Sequence, residues 1–502
     1  MKKRKWRNAI AIVSAAALIL AGCGETAEGA QAASEAAAVE TATDATSAEE
    51  TQAGTSYENS EDGGHAILAD GETASYSNAV VNKTGDAEGD EADFYGENAA
   101  VFATNGAELT LSDMEITTDG THANAVFSYG EGTTVNISDT TINTSGNCSG
   151  GIMTTGGGTM NASNLTIHTT GNSSAAIRSD RGGGTVTVNG GAYTTDGKGS
   201  PAIYSTADIT VNDATLTSTT SQGVVVEGKN SVTLNNCTLN ADNNTHNSDK
   251  SDHFQAVMIY QSMSGDADTG LSEFTANGGS ITNANGDIFF VNNTATNITL
   301  SGVEIVNNGD GVFLRAEAAG WGSEGSNGGK VNLTASAQQI DGDMIVDDIS
   351  VLNLFLQDGS TFTGAINPDG AAGEVYVELT GGSKWVLTAD SAITSLTCDA
   401  DAIDLNGYTL TVGGKTYAEG TASEGEAIEI KIEEGSGMDG MQAPPDGNMQ
   451  PPQGDGMQAP PDGDMQPPQD GNGQGPSGGQ PPEKPDGEAA PGGETPPAKP
   501  GE

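Results

Sequence analysis

Leu109-Thr110-Leu111-Ser112-Asp113-Met114-Glu115-Ile116 decides the fold, because the same phrase returns along the middle of the chain. It recurs as Val135-Asn136-Ile137-Ser138-Asp139-Thr140-Thr141-Ile142 and as Met160-Asn161-Ala162-Ser163-Asn164-Leu165-Thr166-Ile167. Val186 to Tyr193, Ile209 to Leu216, Val232 to Leu239, Phe274 to Ile281 and Ile298 to Ile305 carry it on. Each copy is an alternating apolar strand, a bend of Ser or Asn followed by Asp, Asn or Gly, two variable positions, then Ile, Leu or Tyr. The copies lie roughly 23 to 26 residues apart except where an insertion intervenes, which is a solenoid spacing.

Within a copy the period is two, so Val135 and Ile137 share one face and Asn136 takes the other. The second bend residue is Asp113, Asp139, Asn164, Gly190, Asp213, Asn236, Gly278 or Gly302, the types that enter a left-handed backbone at least cost. An apolar triplet precedes most copies, as in Ala100-Val101-Phe102, Ala125-Val126-Phe127, Gly151-Ile152-Met153 and Ile288-Phe289-Phe290. Three short strands and three bends per turn describe a coil of parallel sheets. The expected fold is all-β, a right-handed parallel β-helix, its hand set by the rule for parallel crossovers. Propellers and leucine-rich repeats fail on repeat length and composition.

The ends differ in kind. Lys2, Lys3, Arg4, Lys5 and Arg7 precede the apolar run Ala9 to Leu20, the pattern of a secretory signal over residues 1–22. Leu20-Ala21-Gly22-Cys23 resembles a bacterial lipobox, with Cys23 as the acylated first residue of the mature chain. Such a lipid would anchor the protein at the outer face of the cell membrane without a spanning helix. Residues 23–60 are rich in Ala, Thr, Glu and Ser and read as a disordered stalk. The repeat domain is expected over 61–433. Residues 434–502, where Gly440 to Pro452 returns almost verbatim as Gly456 to Pro468, read as a disordered Pro/Gly-rich tail.

A formal charge of −51 at neutral pH excludes a nucleic-acid footprint and repels polyanions that no cation bridges. The acidic loops Asp86 to Glu91 and Asp242 to His253 read first as solvated loops, with Ca²⁺ as the alternative that their carboxylate density admits; no other cofactor is implied. Besides Cys23 the thiols are Cys148, Cys237 and Cys398, read as buried and free, with no CxxC pair. His246 and His253 share one insertion, a weak metal signal.

The coils resemble the pectin-lyase-like β-helix superfamily and, more closely, adhesin-like surface lipoproteins of Firmicutes. The likeness is carried by Ser174-Ala175-Ala176-Ile177-Arg178-Ser179-Asp180-Arg181-Gly182-Gly183-Gly184, by Met258 to Asp268, and by Gly382-Ser383-Lys384-Trp385-Val386-Leu387-Thr388. Enzymes of that superfamily cut acidic polysaccharides, lyases with Ca²⁺ carboxylates and an Arg or Lys base, hydrolases with Asp pairs. The hydrolase set that the resemblance implies is missing: Asp347-Asp348 lack His and Arg/Lys partners, and Gly64-His65-Ala66 lies at the amino-terminal edge.

The expected function is therefore non-catalytic: a lipid-anchored, adhesin-like protein presenting loops to glycans or to host or other cell-surface proteins. A polysaccharide lyase or hydrolase is the alternative, and a spacer without ligand the third. Candidate contacts are Arg178, Asp180 and Arg181 on a Gly-rich corner, where guanidiniums can grip a carboxylate or pair internally. Tyr260, Trp321 and Trp385 are candidates to stack on sugar rings. The insertions Asp242 to Ser272 and Glu317 to Lys330 leave the repeat and are where a surface would form.

Overall fold

The computed structural model describes residues 54–432, and within them the chain is a right-handed parallel β-helix. The signal segment, Cys23, most of the stalk and the tail lie outside the described residues. One wall is an 11-stranded sheet, one strand per coil, from Ile67–Asp70 to Asp343–Val346. The 19-stranded sheet holds the repeated phrase, folded at the bend. Glu108–Thr118 and Gly158–Thr169 run through that bend, whereas Thr134–Ser138 and Thr141–Thr144 are interrupted by it. All strand pairings are parallel except the terminal Leu410–Val412 with Lys415–Thr416.

The bend follows the expected chemistry. Asp113, Asp139, Asn164, Asp213 and Asn236 all have φ between 49° and 53°, and Gly190, Gly278 and Gly302 lie between 60° and 70°. The column extends to Asn78 and to Ala337, both at φ 49°. Side chains stack in register: Asn164 donates to Asp139 at 2.7 Å, and Asn189, Asn212, Asn235 and Asn277 form a hydrogen-bonded ladder.

Inward residues fill the column with apolar mass. Leu109, Val135, Met160, Val186, Ile209, Val232 and Phe274 occupy one position in successive coils, and all are buried. Thr118, Thr169 and Thr195, members of the paired threonines, also point inward. Thr169 and Thr195 belong to a second repeat, Thr-x-Gly-x-x-Ser, of which Thr118 opens a copy that ends in Ala123 instead of Ser; the full motif is seen at Thr144–Ser149, Thr169–Ser174 and Thr195–Ser200. In each, the Thr hydroxyl donates to the Ser carbonyl, at 2.7, 2.5 and 2.6 Å. Each Ser hydroxyl donates one coil back, to Gly120, Gly146 and Gly171 carbonyls respectively. Those glycines stack so closely that a Cβ on Gly171 would sit 1.8 Å from the Gly146 oxygen. The polar corner is thus closed by bonds that satisfy its own backbone.

Two expectations change. The segment read as stalk to residue 60 already contains the strand Thr55–Asn59, which pairs with Ala79–Lys83 and sets Tyr57 edge-on to Tyr76 at 5.4 Å. One aromatic in a polar pentamer was too weak a period-two signal to find. Cys148 is only half-buried, because it occupies a left-handed bend at φ 55°, whereas Cys237 and Cys398 are buried.

Candidate functional site

The 11-stranded wall alternates as strands must, and its outward column runs Leu68, Phe102, Phe127, Met153, Arg178, Tyr204, Val225, Met258, Phe290, Arg315, Ile345. An apolar stripe on an outer face demands a cover, and the chain supplies two. Residues 85–98, with the short helix Asp90–Phe94, lie over Phe102, Phe127 and Met153. Residues 317–328 bring Ala319 and Trp321 against Val225, Met258 and Phe290. The triplets quoted above carried this signal: three successive apolar residues in a strand mean that both faces are buried.

Arg178 and Arg181 stand beside the first cover. Arg178 donates to Asp93 at 2.9 Å and Asp180 at 3.0 Å, and only 9% of the residue is exposed. Burial opposes its charge, but Asp180 and Asp93 hold it above its ordinary value. Burial pushes the Asp180 carboxyl up to about 7 despite Arg178, with Asp266 adding to the rise. Arg181 binds Asp90 at 2.9 Å and Asp266 at 2.8 Å, its guanidinium 3.7 Å from the Phe94 ring centre. The corner is thus internally paired, and its charges are spent fastening the first cover.

Trp385 is a correction. It is wholly buried, stacked on Phe362 at 5.5 Å and donating to the Gly364 carbonyl at 2.9 Å, so no surface ligand reaches it. Its place in the strand Lys384–Val386 points inward, a parity the sequence around it does not reveal.

Tyr260 and Trp321 are brought together, edge to face at 5.3 Å. They line a cleft of about 260 Å³ with Tyr204, Val225 and Met258 as its floor. The insertion 242–254 forms the opposite bank, where exposed His246 stacks on Phe254 at 4.1 Å. Lys250 lies 5.7 Å from the Trp321 ring centre, and its carbonyl accepts from Gly320 at 2.7 Å. Gln222, Asn243, Thr245, Asn247 and Ser251 also line the cleft.

Glu227 is fully buried beneath the cleft. Its carboxylate accepts from Tyr260 at 3.0 Å and from Tyr204 and Ser262. Burial raises both tyrosine hydroxyls well above their ordinary values, so they remain donors. At the cleft's edge His253 meets Glu317 at 2.6 Å, and Arg315 joins Asp287 at 2.7 Å and Glu317 at 3.4 Å. Burial pushes Asp287 up to about 6 against the pull of Arg315. Asp180 and Asp287, the two carboxyls that burial pushes up, are thus both closed off from solvent.

Among the described residues neither acidic loop gathers three carboxylate, imidazole or thiol ligands; Asp86 instead accepts from the Thr121 amide at 2.7 Å. The group that does assemble is Asp93, His122 and Cys148. Sequence reading missed it because the three are far apart along the chain. The signal was available: His122 and Cys148 hold the same place in consecutive copies of the Thr-x-Gly-x-x motif, beginning at Thr118 and Thr144. Among the described residues no helix is long and apolar enough to cross a membrane. Compared with known proteins, the chain matches no family model, no curated protein and no solved structure.

Proposed function

We propose that the protein is a non-catalytic surface protein, lipid-anchored through Cys23 at the outer face of the cell membrane, that binds neutral glycans of a cell surface in the cleft between the 242–254 and 317–328 segments. The observation that carries this reading is the Tyr260–Trp321 pair, set edge to face over an apolar floor and lined by mostly neutral hydrogen-bonding groups, with Lys250 and His253 beside them. Aromatic faces take the C–H side of a sugar ring while amides and hydroxyls take its rim. The cleft is smaller than the roughly 300–1,000 Å³ of enclosed small-molecule sites. That suits one ring of a longer chain lying along the rod.

Charge favours neutral over acidic chains, since the formal charge is −51 and a polyuronate would approach like charge. A non-catalytic role is supported by the carboxylates at hand. Glu227 is wholly buried under three hydroxyls, and Asp180 is held by Arg178.

The test is a panel of neutral and uronate glycans, with and without Ca²⁺, offered to the full chain with Cys23→Ser to keep it in solution. Binding of a neutral glycan that Trp321→Ala abolishes is expected. Release of cleaved oligosaccharide would overturn the non-catalytic reading, and binding unaffected by Trp321→Ala would move the site elsewhere.

A further inference from the structure

We propose that Asp93, His122 and Cys148 form a binding site for a thiophilic divalent transition ion of the Zn²⁺ class, which fastens the first cover to the coils. The three side chains come from different levels of the fold. Asp93 lies in the helix Asp90–Phe94, and His122 and Cys148 sit in left-handed bends, at φ 54° and 55°, of two consecutive coils. Because coils stack in register, identical bend positions place the two side chains one above the other, and the helix lays Asp93 across them. Their donor atoms lie within 4.8 Å of one another, and each residue is partly exposed, so an ion has an entry path.

A second observation concerns the imidazole. His122 Nδ1 lies 2.9 Å from the Ala87 carbonyl oxygen. A carbonyl only accepts, so Nδ1 carries a proton, and in the neutral ring Nε2 keeps its lone pair. The hydrogen bond with Cys148 raises the imidazole above its ordinary value against burial, so an ion binding there displaces the proton that Nε2 and the thiol share. Nε2 is the atom that faces the cluster, 3.9 Å from Asp93 Oδ1. A backbone carbonyl on the far nitrogen is how metal-ligating histidines are commonly oriented. Ala87 belongs to the same cover, so this bond aims the ring and holds the segment at once.

The donor set selects the ion. Carboxylate oxygen, imidazole nitrogen and thiolate sulfur suit Zn²⁺ or Co²⁺, whereas Ca²⁺ and Mg²⁺ take oxygen. Ligand bonds of about 2.0–2.3 Å put tetrahedral donors roughly 3.3–3.5 Å apart. The donors, all within 4.8 Å of one another, have at most about 1.5 Å to close to reach that. Arg178, 2.9 Å from Asp93 Oδ1, restrains the carboxylate as an outer partner and offsets the negative charge of thiolate and carboxylates. Three protein donors leave a fourth position to water. Ser173 and Gly199 occupy the equivalent bends of the next coils, so this donor pair is confined to the two levels beneath the helix.

The experiment uses the full chain with Cys23→Ser under reducing conditions, titrated with Co²⁺. A sulfur-to-cobalt charge-transfer band with the strong visible bands of four-coordinate Co²⁺ is expected, and Zn²⁺ should bleach both. Cys148→Ser should lose the charge-transfer band while keeping the β-sheet circular dichroism, since the residue is half-exposed at a bend. His122→Ala should weaken binding at least about tenfold. Asp93→Asn should weaken it while the band remains. Cys237→Ser, at a buried thiol remote from the cluster, should change nothing. Absence of a charge-transfer band in the parent chain, or a band that survives Cys148→Ser, overturns the proposal. So does Zn²⁺ leaving the protease sensitivity of residues 85–98 unchanged.

Discussion

Arg178 Nη2 donates to Asp93 Oδ1 at 2.9 Å, joining a strand of the 11-stranded wall to a helix that arrives 85 residues earlier in the chain. The same guanidinium nitrogen holds Asp180 at 3.0 Å. Of the two sequence readings of this residue, ligand grip or internal pair, it takes the second and fastens a cover over Phe102, Phe127 and Met153. Replacing it leaves Asp180 buried and unpaired, and removing one partner of such a pair costs about 3–5 kcal/mol. Arg178→Ala should lower unfolding stability by that amount in denaturant titration, while a glycan bound at the Tyr260–Trp321 cleft keeps its affinity.

The tryptophans should separate cleanly. Trp385→Ala opens a cavity in the core and should cost about 3–5 kcal/mol of stability, with glycan affinity unchanged. Trp321→Ala removes a half-buried ring at the cleft and should reduce glycan affinity at least about tenfold, roughly 1.4 kcal/mol, with a smaller loss of stability than Trp385→Ala because the ring is only partly buried. Calorimetric titration and thermal unfolding of both variants check this.

Ala337 occupies the bend column at φ 49° with its side chain exposed. Elsewhere in that column stand Asn, Asp or Gly, which accept the conformation more easily. Ala337→Gly should therefore stabilise the protein by about 1 kcal/mol, read as a rise in denaturant midpoint. A fall would show that the strain is relieved elsewhere in the coil.

The tie between the cleft's banks depends on pH. The hydrogen bond to Glu317 raises His253 above its ordinary 6.5. For Glu317, burial pulls upward, but His253 and Arg315 prevail and hold it below its ordinary 4.5. A raised histidine contributes fully below its ordinary value and loses that contribution as pH rises through the raised one. A lowered carboxylate contributes above its ordinary value and fails as pH falls through the lowered one. The tie is complete between about 4.5 and 6.5 and weakens above that. Amide exchange in residues 317–328 should accelerate as pH passes from 6 to 8 beyond the intrinsic rate increase, and His253→Gln should remove that excess.

Much of this was legible in the chain. The period-two phrase and its Asp, Asn and Gly bends named the solenoid, and every bend residue so identified has a positive φ. Tyr260 and Trp321, singled out as aromatic residues in or beside insertions, do meet across 5.3 Å. Trp385 was misplaced because one tryptophan between Lys384 and Val386 gives no parity, and only pairing with Phe362 and Ile403 turns it inward. The Asp93–His122–Cys148 group was invisible to a search for short motifs.

What the sequence by itself determined is the coil: local backbone preference at each bend, and alternation within each strand, act over a few residues and repeat. What only the tertiary structure decided is the use of the outward stripe. Which insertion folds back over which coil is settled by burial of apolar side chains and pairing of charges between residues as far apart as Asp90 and Arg181. Those energies exist only once the coils have stacked in register, so the covers, the cleft beside the second of them and the donor cluster at the helix are properties of the folded rod.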